Sequence, residues 1–355
     1  MTQSLTSGVA GVVLLLASMT VPAPAKDVPV PVIISTDSAT GLTGGWRSGV
    51  GDPDDGLAVA MALASPQLEV LGIVVTFGNT LMEPEFSVAT RVVEGMGAQV
   101  PVRRGAARPM PDAPVRRYDG AAIDGACLND GVRFMADQLR GSAAPVTILA
   151  MGPLTDVACL ALNFPDLVSG IERIVLIGGR DPGQAFKING RHLADFNLAL
   201  DFPAISYLLE ETTVPLRFMP FGLTSSVLVP VGERETLCKS NLRLASDFFC
   251  PSIVPWIEFW TKTFAEAGFH PWDQNTVYVT TAPQHFDCSP ATYEIIDCAK
   301  GKCAGHDPAN PARLALEGAQ LWLTTDPAAT RIEMCGSYAA GGKAAFEEAI
   351  FAFAR

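Results

Sequence analysis

Short apolar runs alternate with longer segments of helical periodicity along most of the chain. The apolar runs are five to ten residues long and rich in Val, Ile and Leu, which is typical of buried strands. The predicted strands are Val30–Ile34, 68–77, Pro145–Ala150, 173–177, Val214–Met219 and Ala319–Thr324. The predicted helices are Leu57–Ala64, Pro84–Met96, Leu154–Leu162, Phe202–Glu211, most of Glu233–Phe269, and Ala344–Ala354. This alternation predicts βαβ units and therefore an α/β fold with a largely parallel sheet.

The composition is that of a folded, acidic protein. With 48% hydrophobic and 17% charged residues, the chain of 355 residues can fill a substantial core, which excludes intrinsic disorder. Neither a sequence repeat nor a linker divides the chain, so a single domain is predicted. A net charge of −12 argues against nucleic acid or an anionic membrane surface as a partner. It suits a protein that binds a metal cation and a small neutral molecule.

The first residues have the pattern of a secretory signal peptide. An apolar segment spans residues 8–21, and Ala23-Pro24-Ala25 offers a small-x-small cleavage site before Lys26. We therefore expect a signal peptide over residues 1–25 and an exported domain over residues 26–355, in the periplasm or secreted. The segment departs from the usual pattern because no Lys or Arg precedes it. It is too short to span a bilayer, and no other stretch is long and apolar enough, so we expect no membrane contact after cleavage.

The cysteine content agrees with export, because six of the eight cysteines crowd into the C-terminal third, where an exported protein can form disulfides. Cys298 and Cys303 are close enough in sequence for a small loop, as are Cys238 and Cys250, but connectivity stays open at this point. The alternative of a metal site at Cys298, Cys303 and His306 lacks paired C-x-x-C spacing. Cys159 lies within an apolar helical segment and is predicted to be buried. The six clustered cysteines are Cys238, Cys250, Cys288, Cys298, Cys303 and Cys335.

Four carboxylates fall on the loop between the first predicted strand and the first predicted helix: Asp37, Asp52, Asp54 and Asp55. In open α/β sheets, ligands bind outside the carboxyl ends of the strands, where this loop would lie. Crowded acids must take up protons or bind a cation, and oxygen donors without His or Cys suit Ca²⁺ or Mg²⁺. Helix capping is the simpler alternative, but it explains only Asp52 and Asp54, and not Asp37 at the strand end.

Further polar residues follow other predicted strands and would lie around the same rim. Asn79 follows the second strand, Met151 the third, and Asn189, Asp195 and Asn197 come after the next break in the pattern. Singly, such residues are ordinary turn or cap residues. Together they supply the hydrogen-bonding groups that a polyhydroxylated ligand such as a sugar requires. Residues 97–131 form a long, irregular segment that we regard as a candidate cover for the site.

Over most of residues 30–350 the chain resembles the nucleoside hydrolases of the inosine-uridine-preferring type. An aspartate cluster followed in order by Gly152-Pro153-Leu154-Thr155 is specific to that family, although no single piece is. The segments that carry the resemblance are 36–37, 52–55, 75–79, 148–156, 174–179, 194–197 and 272–273.

The resemblance implies a Rossmann-like, open and mostly parallel sheet flanked by helices, with one bound Ca²⁺. It implies hydrolysis of the N-glycosidic bond of ribonucleosides by water, giving free base and ribose, with Asp37 as the base that takes the proton from that water. The implied metal ligands are Asp37, Asp55, the Met151 carbonyl and Asp273. The residues implied to bind the ribose are Asp54, Asn79, Asn189, Asp195 and Asn197.

Three departures from the family pattern concern the metal and the sugar. An insert, Ser38–Gly51, separates Asp37 from the second acidic cluster, and Ser35 stands where the family often has the first Asp of its motif. Asp195 replaces a Glu that is one methylene longer.

The leaving group is the fourth point of departure. Trp272 stands where many members have a His that protonates the departing base, and Ala121 occupies another customary His position. His270 is the one His near the site in sequence, and it is a weak candidate for this acid. We instead expect a preference for purines, with Trp272 stacked on the base and Tyr118 or Trp46 opposite. The alternative is that Trp272 belongs to the core.

Two other functions stay open at the level of sequence. A periplasmic protein that binds nucleosides without turnover would explain the insert and the missing His, although a binder has little need of an activated water. A hydrolase of another ribosyl compound would keep all the features described. The sequence does not decide whether the protein forms a homo-oligomer.

Overall fold

The first predicted strand forms the centre of a twisted sheet in the computed structural model, which describes residues 28–43, 49–110, 127–298, 303–304 and 317–355. The strands are β1 Val30–Thr36, β2 Leu68–Val75, β3 Val102–Arg104, β4 Val146–Ala150, β5 Ile171–Ile177, β6 Lys187–Ile188, β7 Arg191–His192, β8 Leu216–Met219, β9 Val229–Pro230, β10 Gly268–Phe269, β11 Phe286–Asp297, β12 Ala319–Thr325 and β13 Ile332–Tyr338. The α-helices are α1 Asp54–Ala64, α2 Met82–Gly95, α3 Asp130–Gly141, α4 Thr155–Asn163, α5 Phe196–Leu200, α6 Phe202–Glu211, α7 Phe221–Thr224, α8 Arg234–Cys238, α9 Cys250–Phe264, α10 Gln274–Thr281 and α11 Gly342–Ala349. A π-helical segment, Leu244–Phe249, leads directly into α9.

Nine strands of the described residues form one sheet in the order β12-β11-β13-β8-β5-β4-β1-β2-β3. The neighbours from β3 to β13 pair in parallel, and β11 is antiparallel to both β13 and β12. Because β1 pairs with β2 on one side and β4 on the other, the strand order reverses at β1. The predicted open, mostly parallel Rossmann-like sheet is therefore confirmed, and its ligand-binding switch point lies beside β1.

Two hydrophobic layers cover the sheet, one on each face. Side chains of β1, α1, α2 and α9 build one layer, and those of β4, α3, α4 and α6 build the other. Central strands are buried on both faces, which is why they could be recognised as continuous apolar runs. The five-residue burial pattern of β4, buried throughout, is the clearest example.

The structure adds elements that the apolar pattern does not reveal. Helix α3 begins at the N-cap Asn129, whose side chain accepts a hydrogen bond from the Val132 amide. Strands β11 and β13 alternate between buried and exposed positions, and they contain Pro290 and Gly336, which obscure the pattern. Most residues of helix α10 are buried although several are Thr, Asn or Gln, so its sequence does not show an apolar pattern.

Four disulfides pair all eight cysteines, each of which lies within the described residues. Two of them are local, Cys238–Cys250 and Cys298–Cys303, as the spacing suggested, and the others join Cys127 to Cys159 and Cys288 to Cys335. Cys159 is buried in α4 as predicted, although it is bonded to Cys127. The disulfide at Cys298 removes these two thiols from the alternative metal site. His306, its third member, lies outside the described residues.

The predicted signal peptide also lies outside the described residues. Among the helices that the structure does describe, none combines the length and the apolar character needed to cross a membrane.

Candidate functional site

A cavity of about 400 Å³ opens at the carboxyl ends of β1, β2, β4 and β5. Its volume is in the range of small-molecule sites, and its position is the switch point of the sheet. One end is lined by carboxylates and amides, and the other by aromatic rings. Nine of the ten residues predicted for the site line this cavity. They are Asp37, Asp54, Asp55, Asn79, Met151, Asp195, Asn197, Trp272 and Asp273.

Asp37 leaves the end of β1 and is nearly inaccessible to solvent. Its Oδ2 accepts a hydrogen bond of 2.8 Å from the backbone amide of Asn79, whereas its buried Oδ1 has no partner among the described residues. Gly78 and Gly152 flank this carboxylate so closely that a Cβ on Gly78 would lie 1.9 Å from Oδ2, and one on Gly152 would lie 2.8 Å from Oδ1. The two glycines are therefore part of the site, because they leave room for the Asp37 carboxylate, a role that no sequence pattern indicated.

The second acidic cluster lies at the start of α1, where Pro53 occupies the N-cap without a side-chain cap. The Asp55 carboxylate is held by three donors, since Oδ1 accepts from Thr36 Oγ1 at 2.5 Å and the Asp37 amide at 3.2 Å, and Oδ2 accepts from Asn79 Nδ2 at 3.1 Å. Thus Asp37 and Asp55 are brought together although they lie 18 positions apart in the chain. Capping explains Asp52, whose Oδ1 accepts from the Asp54 backbone amide at 3.2 Å, but it does not explain why Asp55 lies against Asp37.

Asp273, at the turn before α10, completes a compact acidic group. One carboxylate oxygen each of Asp54, Asp55 and Asp273 lie within 4.8 Å of one another. Burial raises the pKa of Asp37, Asp52 and Asp273 well above the usual range, and the neighbouring carboxylates raise it further. Burial and the charge of Asp54 raise the pKa of Asp55 to about 7.

These features fit a bound cation. Among the described residues that line the cavity, none is Lys or Arg, so no side chain there neutralises the acids. A cation would relieve the repulsion that raises their pKa values, and the unpartnered Asp37 Oδ1 offers an additional ligand atom. The donors are all oxygen atoms, which suits a hard cation such as the predicted Ca²⁺.

The predicted sugar-binding residues surround the acidic group, with one exception. Asn79 donates through Nδ2 to the Asp37 carbonyl and to Asp55, and Asn197 Nδ2 donates to the Met151 carbonyl at 2.5 Å. Asp195 accepts a hydrogen bond of 2.8 Å from the Gly179 amide. Burial raises its pKa to about 6.

Asn189 is the exception, since it lies outside the cavity lining. Asn189 and Gly190 have φ angles of 47° and 77° and form the two-residue turn of the β6–β7 hairpin. Asn-Gly is the preferred sequence for such a turn, a signal that sequence analysis overlooked. The side-chain Nδ2 of Asn189 donates to the Phe264 carbonyl and to Glu266 Oε1. Its contact with a substrate stays a prediction.

Aromatic rings form the other end of the cavity. Trp272 is partly buried and stacks on Phe221 with 5.8 Å between ring centroids, and Phe221 stacks on Phe186 at 4.0 Å. Trp256 and Trp260 of α9 line the same end. The cavity therefore joins a polar, acidic half to an apolar half that can receive a flat ring. Tyr118 and Trp46, the predicted opposite stacking partners, lie outside the described residues, as does Ala121.

The two His residues near the cavity have different surroundings. His270 lies behind Trp272, with its ring centroid 4.9 Å from that of Trp272, and its Nδ1 bonds the Val227 carbonyl at 2.6 Å. Burial lowers its pKa to about 4, so at pH 7 it is neutral and lacks the imidazolium proton that a general acid would give. His192, which sequence analysis did not single out, lines the cavity from β7. The sequence indicates that His192 is near the site only through its position three residues before Asp195.

Comparison with known proteins gives the site a family context. The family model described as inosine-uridine preferring nucleoside hydrolase matches residues 49–344, so Asp37 precedes the matched region. The pyrimidine-specific ribonucleoside hydrolase RihA of Escherichia fergusonii is 32% identical over 196 residues, which are 51% of this chain and 61% of that protein. RihA of an Escherichia coli strain, O7:K1, matches with the same identity and coverage. The match thus spans less than two thirds of these relatives.

Solved structures of nucleoside hydrolases share the fold. A purine-preferring ribonucleoside hydrolase from Gardnerella vaginalis superposes with a TM-score of 0.67 and 19% identity, covering 91% of this chain and 99% of that one. An inosine-uridine preferring nucleoside hydrolase from Bacillus anthracis superposes with a TM-score of 0.60 and 16% identity, covering 92% and 99%. At these identities the likeness concerns the architecture.

The acidic group of Asp54, Asp55 and Asp273 should destabilise the fold when no cation is present and stabilise it when a cation is bound. In calcium-free buffer, Asp273→Asn should raise the melting temperature, because it removes one of several repelling buried charges. Added Ca²⁺ should stabilise the unchanged protein by about 2.7 kcal/mol at a hundredfold excess over the dissociation constant. The variant should bind Ca²⁺ at least about tenfold more weakly.

Thermal melts and calorimetric titration with CaCl₂ measure both effects. The exposed Asp287 provides a matched control, and Asp287→Asn should leave the melting temperature and the calcium affinity unchanged. Equal calcium affinity in the Asp273 variant would contradict the assignment.

Proposed function

Because the chain belongs to the inosine-uridine preferring nucleoside hydrolase family, we propose that it hydrolyses ribonucleosides to free base and ribose with the help of Ca²⁺. The observation that carries the proposal is the buried carboxylate group at the switch point, with Asp37 Oδ1 left without a partner among the described residues. A binding protein that only holds nucleosides would gain nothing from so much unneutralised charge. The ribonucleoside hydrolases named among the relatives support the same reaction class.

Asp55, Asp273, Asp37 and the Met151 carbonyl would hold the cation. When bound, Ca²⁺ would lower the pKa of a coordinated water and so make its proton easier to remove. Asp37 accepts the proton of the attacking water at Oδ1, while the Asn79 amide fixes Oδ2 and thus the plane of the carboxylate. Water then attacks the anomeric carbon as the N-glycosidic bond breaks through an oxocarbenium-like transition state. The electron pair of that bond leaves with the base, which takes up a proton from solvent.

The remaining polar residues bind the sugar. Both Nδ2 protons of Asn79 are used by Asp37 and Asp55, so its Oδ1 is the atom that receives a hydroxyl. Asp54, Asp195 and Asn197 provide further groups around the same half of the cavity. Because an unmatched buried polar group is costly, such a site discriminates strongly against sugars that lack the corresponding hydroxyl.

For the base, the proposal is a preference for purines. The names of the relatives disagree, since RihA is called pyrimidine-specific and the Gardnerella vaginalis enzyme purine-preferring. The stack of Phe186, Phe221 and Trp272 favours the larger ring system, because stacking grows with the π face.

We also propose that the protein is exported after cleavage before Lys26. Four disulfides agree with an oxidising compartment, and the apolar segment ahead of Ala23-Pro24-Ala25 agrees with a signal peptide.

Removal of the proposed base should abolish most of the activity. Asp37→Asn keeps the shape of the side chain but cannot take a proton, so kcat should fall by about 10²–10⁴-fold. Asp55→Ala and chelation of Ca²⁺ should have comparable effects. Release of reducing sugar from inosine, adenosine and uridine measures the activity, with Asp287→Asn as the matched control. Tight nucleoside binding without any release of sugar would favour the binding-protein alternative instead.

Loss of the stacking ring should reduce the purine preference. In Trp272→Ala, the ratio of kcat/KM for inosine to that for uridine should fall about two- to tenfold, as expected for the loss of ~0.5–1.5 kcal/mol of ring stacking. Trp272→Phe keeps an aromatic face and should retain most of the ratio. If the ratio is unchanged in the Ala variant, Trp272 is a core residue and does not contact the base. If the unchanged enzyme prefers uridine, the proposed purine preference is wrong.

Export can be tested on the full-length chain in a bacterial host. Intact-mass measurement should find a periplasmic or secreted protein that begins at Lys26, with the mass of four disulfides. A full-length, cytoplasmic product with free thiols would contradict the proposal.

A further inference from the structure

A buried ion pair lies directly behind the sugar-binding half of the cavity. Arg180 and Glu317 are 1% and 4% exposed, and Arg180 Nη2 donates to Glu317 Oε1 at 2.5 Å. Neither residue lines the cavity. Ion pairs of this kind contribute little to stability, because the desolvation of two charges offsets their attraction. The position of this pair therefore calls for another explanation.

We propose that Arg180 and Glu317 are positioning residues that hold Asp195 in place and thereby set the discrimination between sugars. The proposal rests on the proposed function, because it takes Asp195 as a residue that binds a sugar hydroxyl.

Asp195 is fixed from two sides. Its amide donates to Glu317 Oε1 at 2.7 Å, so the carboxylate that binds Arg180 also holds the Asp195 backbone. Its side chain accepts through Oδ2 from the Gly179 amide at 2.8 Å, next to Arg180 in sequence. With the backbone and Oδ2 held, the sugar hydroxyl would be received at Oδ1. Movement of Glu317 would move both the amide and the side chain of Asp195.

Arg180 is itself anchored at both ends. Its backbone bridges to β12, accepting from the Leu323 amide at 2.8 Å and donating to the Leu321 carbonyl at 3.2 Å. The guanidinium lies over the ring of Phe186, 3.9 Å from its centroid. A planar cation between a ring and a carboxylate has little freedom to turn, so it fixes the direction of Glu317.

The other oxygen of Glu317 is tied to a disulfide loop. Gln320 Nε2 donates to Glu317 Oε2 at 3.0 Å and to the Ala304 carbonyl at 2.9 Å, and Gln320 Oε1 accepts from the Ala304 amide at 2.9 Å. Ala304 directly follows Cys303, which is bonded to Cys298. The support of Asp195 thus consists of groups whose own positions are fixed, as a precise binding site requires. Asp195 is one methylene shorter than the Glu expected from the family pattern, so its backbone position matters more.

The test measures sugar discrimination rather than activity alone. The ratio of kcat/KM for inosine to that for its 2′-deoxy, 3′-deoxy and 5′-deoxy analogues is determined first for the unchanged enzyme and for Asp195→Asn. The ratio that collapses in Asp195→Asn identifies the hydroxyl that Asp195 binds. If no ratio changes, Asp195 does not bind the sugar, and both that part of the proposed function and the positioning inference fail.

Two variants then address the ion pair. Glu317→Gln preserves shape but leaves Arg180 without its counter-charge, which can destabilise the fold. Arg180→Met combined with Glu317→Leu removes both charges and keeps the volume apolar, a change that buried pairs often tolerate. In a folded variant, as judged by circular dichroism and thermal melting, the ratio assigned to Asp195 should fall about tenfold or more, and the other two ratios should stay unchanged.

Glu333 supplies the matched control. It binds Arg173 and Arg217 at 2.7 and 2.8 Å, and none of these residues lines the cavity. Glu333→Gln should leave all three ratios unchanged. If the folded double variant loses activity equally on every substrate, or keeps the Asp195 ratio intact, the pair has a merely structural role and the inference is overturned. If the unchanged enzyme releases no ribose, the same ratios are determined from the dissociation constants of the nucleosides. In that case the proposed hydrolysis is wrong, and the binding ratios still test whether the ion pair positions Asp195.

Discussion

Mutual repulsion among buried carboxylates is the constraint on which the site depends. Two unit charges 4 Å apart repel by about 4 kcal/mol at the effective dielectric constant typical of proteins. Asp54, Asp55 and Asp273 approach one another about as closely as this, with Asp37 alongside. A repulsion of this size is a large part of the ~5–15 kcal/mol that stabilises a typical domain. A cation in their midst would turn the repulsion into attraction, so the proposed ion binding would be coupled to folding.

The two halves of the cavity are built by different means. Strand ends, the first turn of α1 and the turn before α10 supply the polar half, where Asn79 Nδ2 and Thr36 Oγ1 orient the Asp55 carboxylate. Helix α9 supplies much of the apolar half, and the preceding π-helical segment and the Cys238–Cys250 disulfide fix where α9 begins. π-Helical turns recur near functional sites because they shift the face that a helix presents. The polar half therefore depends on the sheet, whereas the apolar half can vary with α9.

What could be predicted from the sequence follows from burial and from local order. Parallel strands buried on both faces are continuous apolar runs, so β1, β4 and β5 were recognisable, whereas the half-exposed β11 and β13 were not. The acids were found by their density, and Asp37 joins Asp55 because the end of β1 and the first turn of α1 set their positions, whatever the length of the segment between them. Arg180 and Glu317 were missed because 137 residues separate them, and no local pattern reports a partner so distant.

The order of the strands has a consequence for how the protein is made. β13 is the last strand in sequence, yet it lies between β8 and β11, inside the sheet. Until residues 332–338 have left the ribosome, β8 and β11 both lack the neighbouring strand that β13 provides. The nine-stranded sheet therefore cannot be completed while the preceding residues are being synthesised. Pairings this distant along the chain form late in folding. The sheet is thus completed only after the C-terminal strand has been made, an order of assembly that suits the proposed export of an unfolded chain.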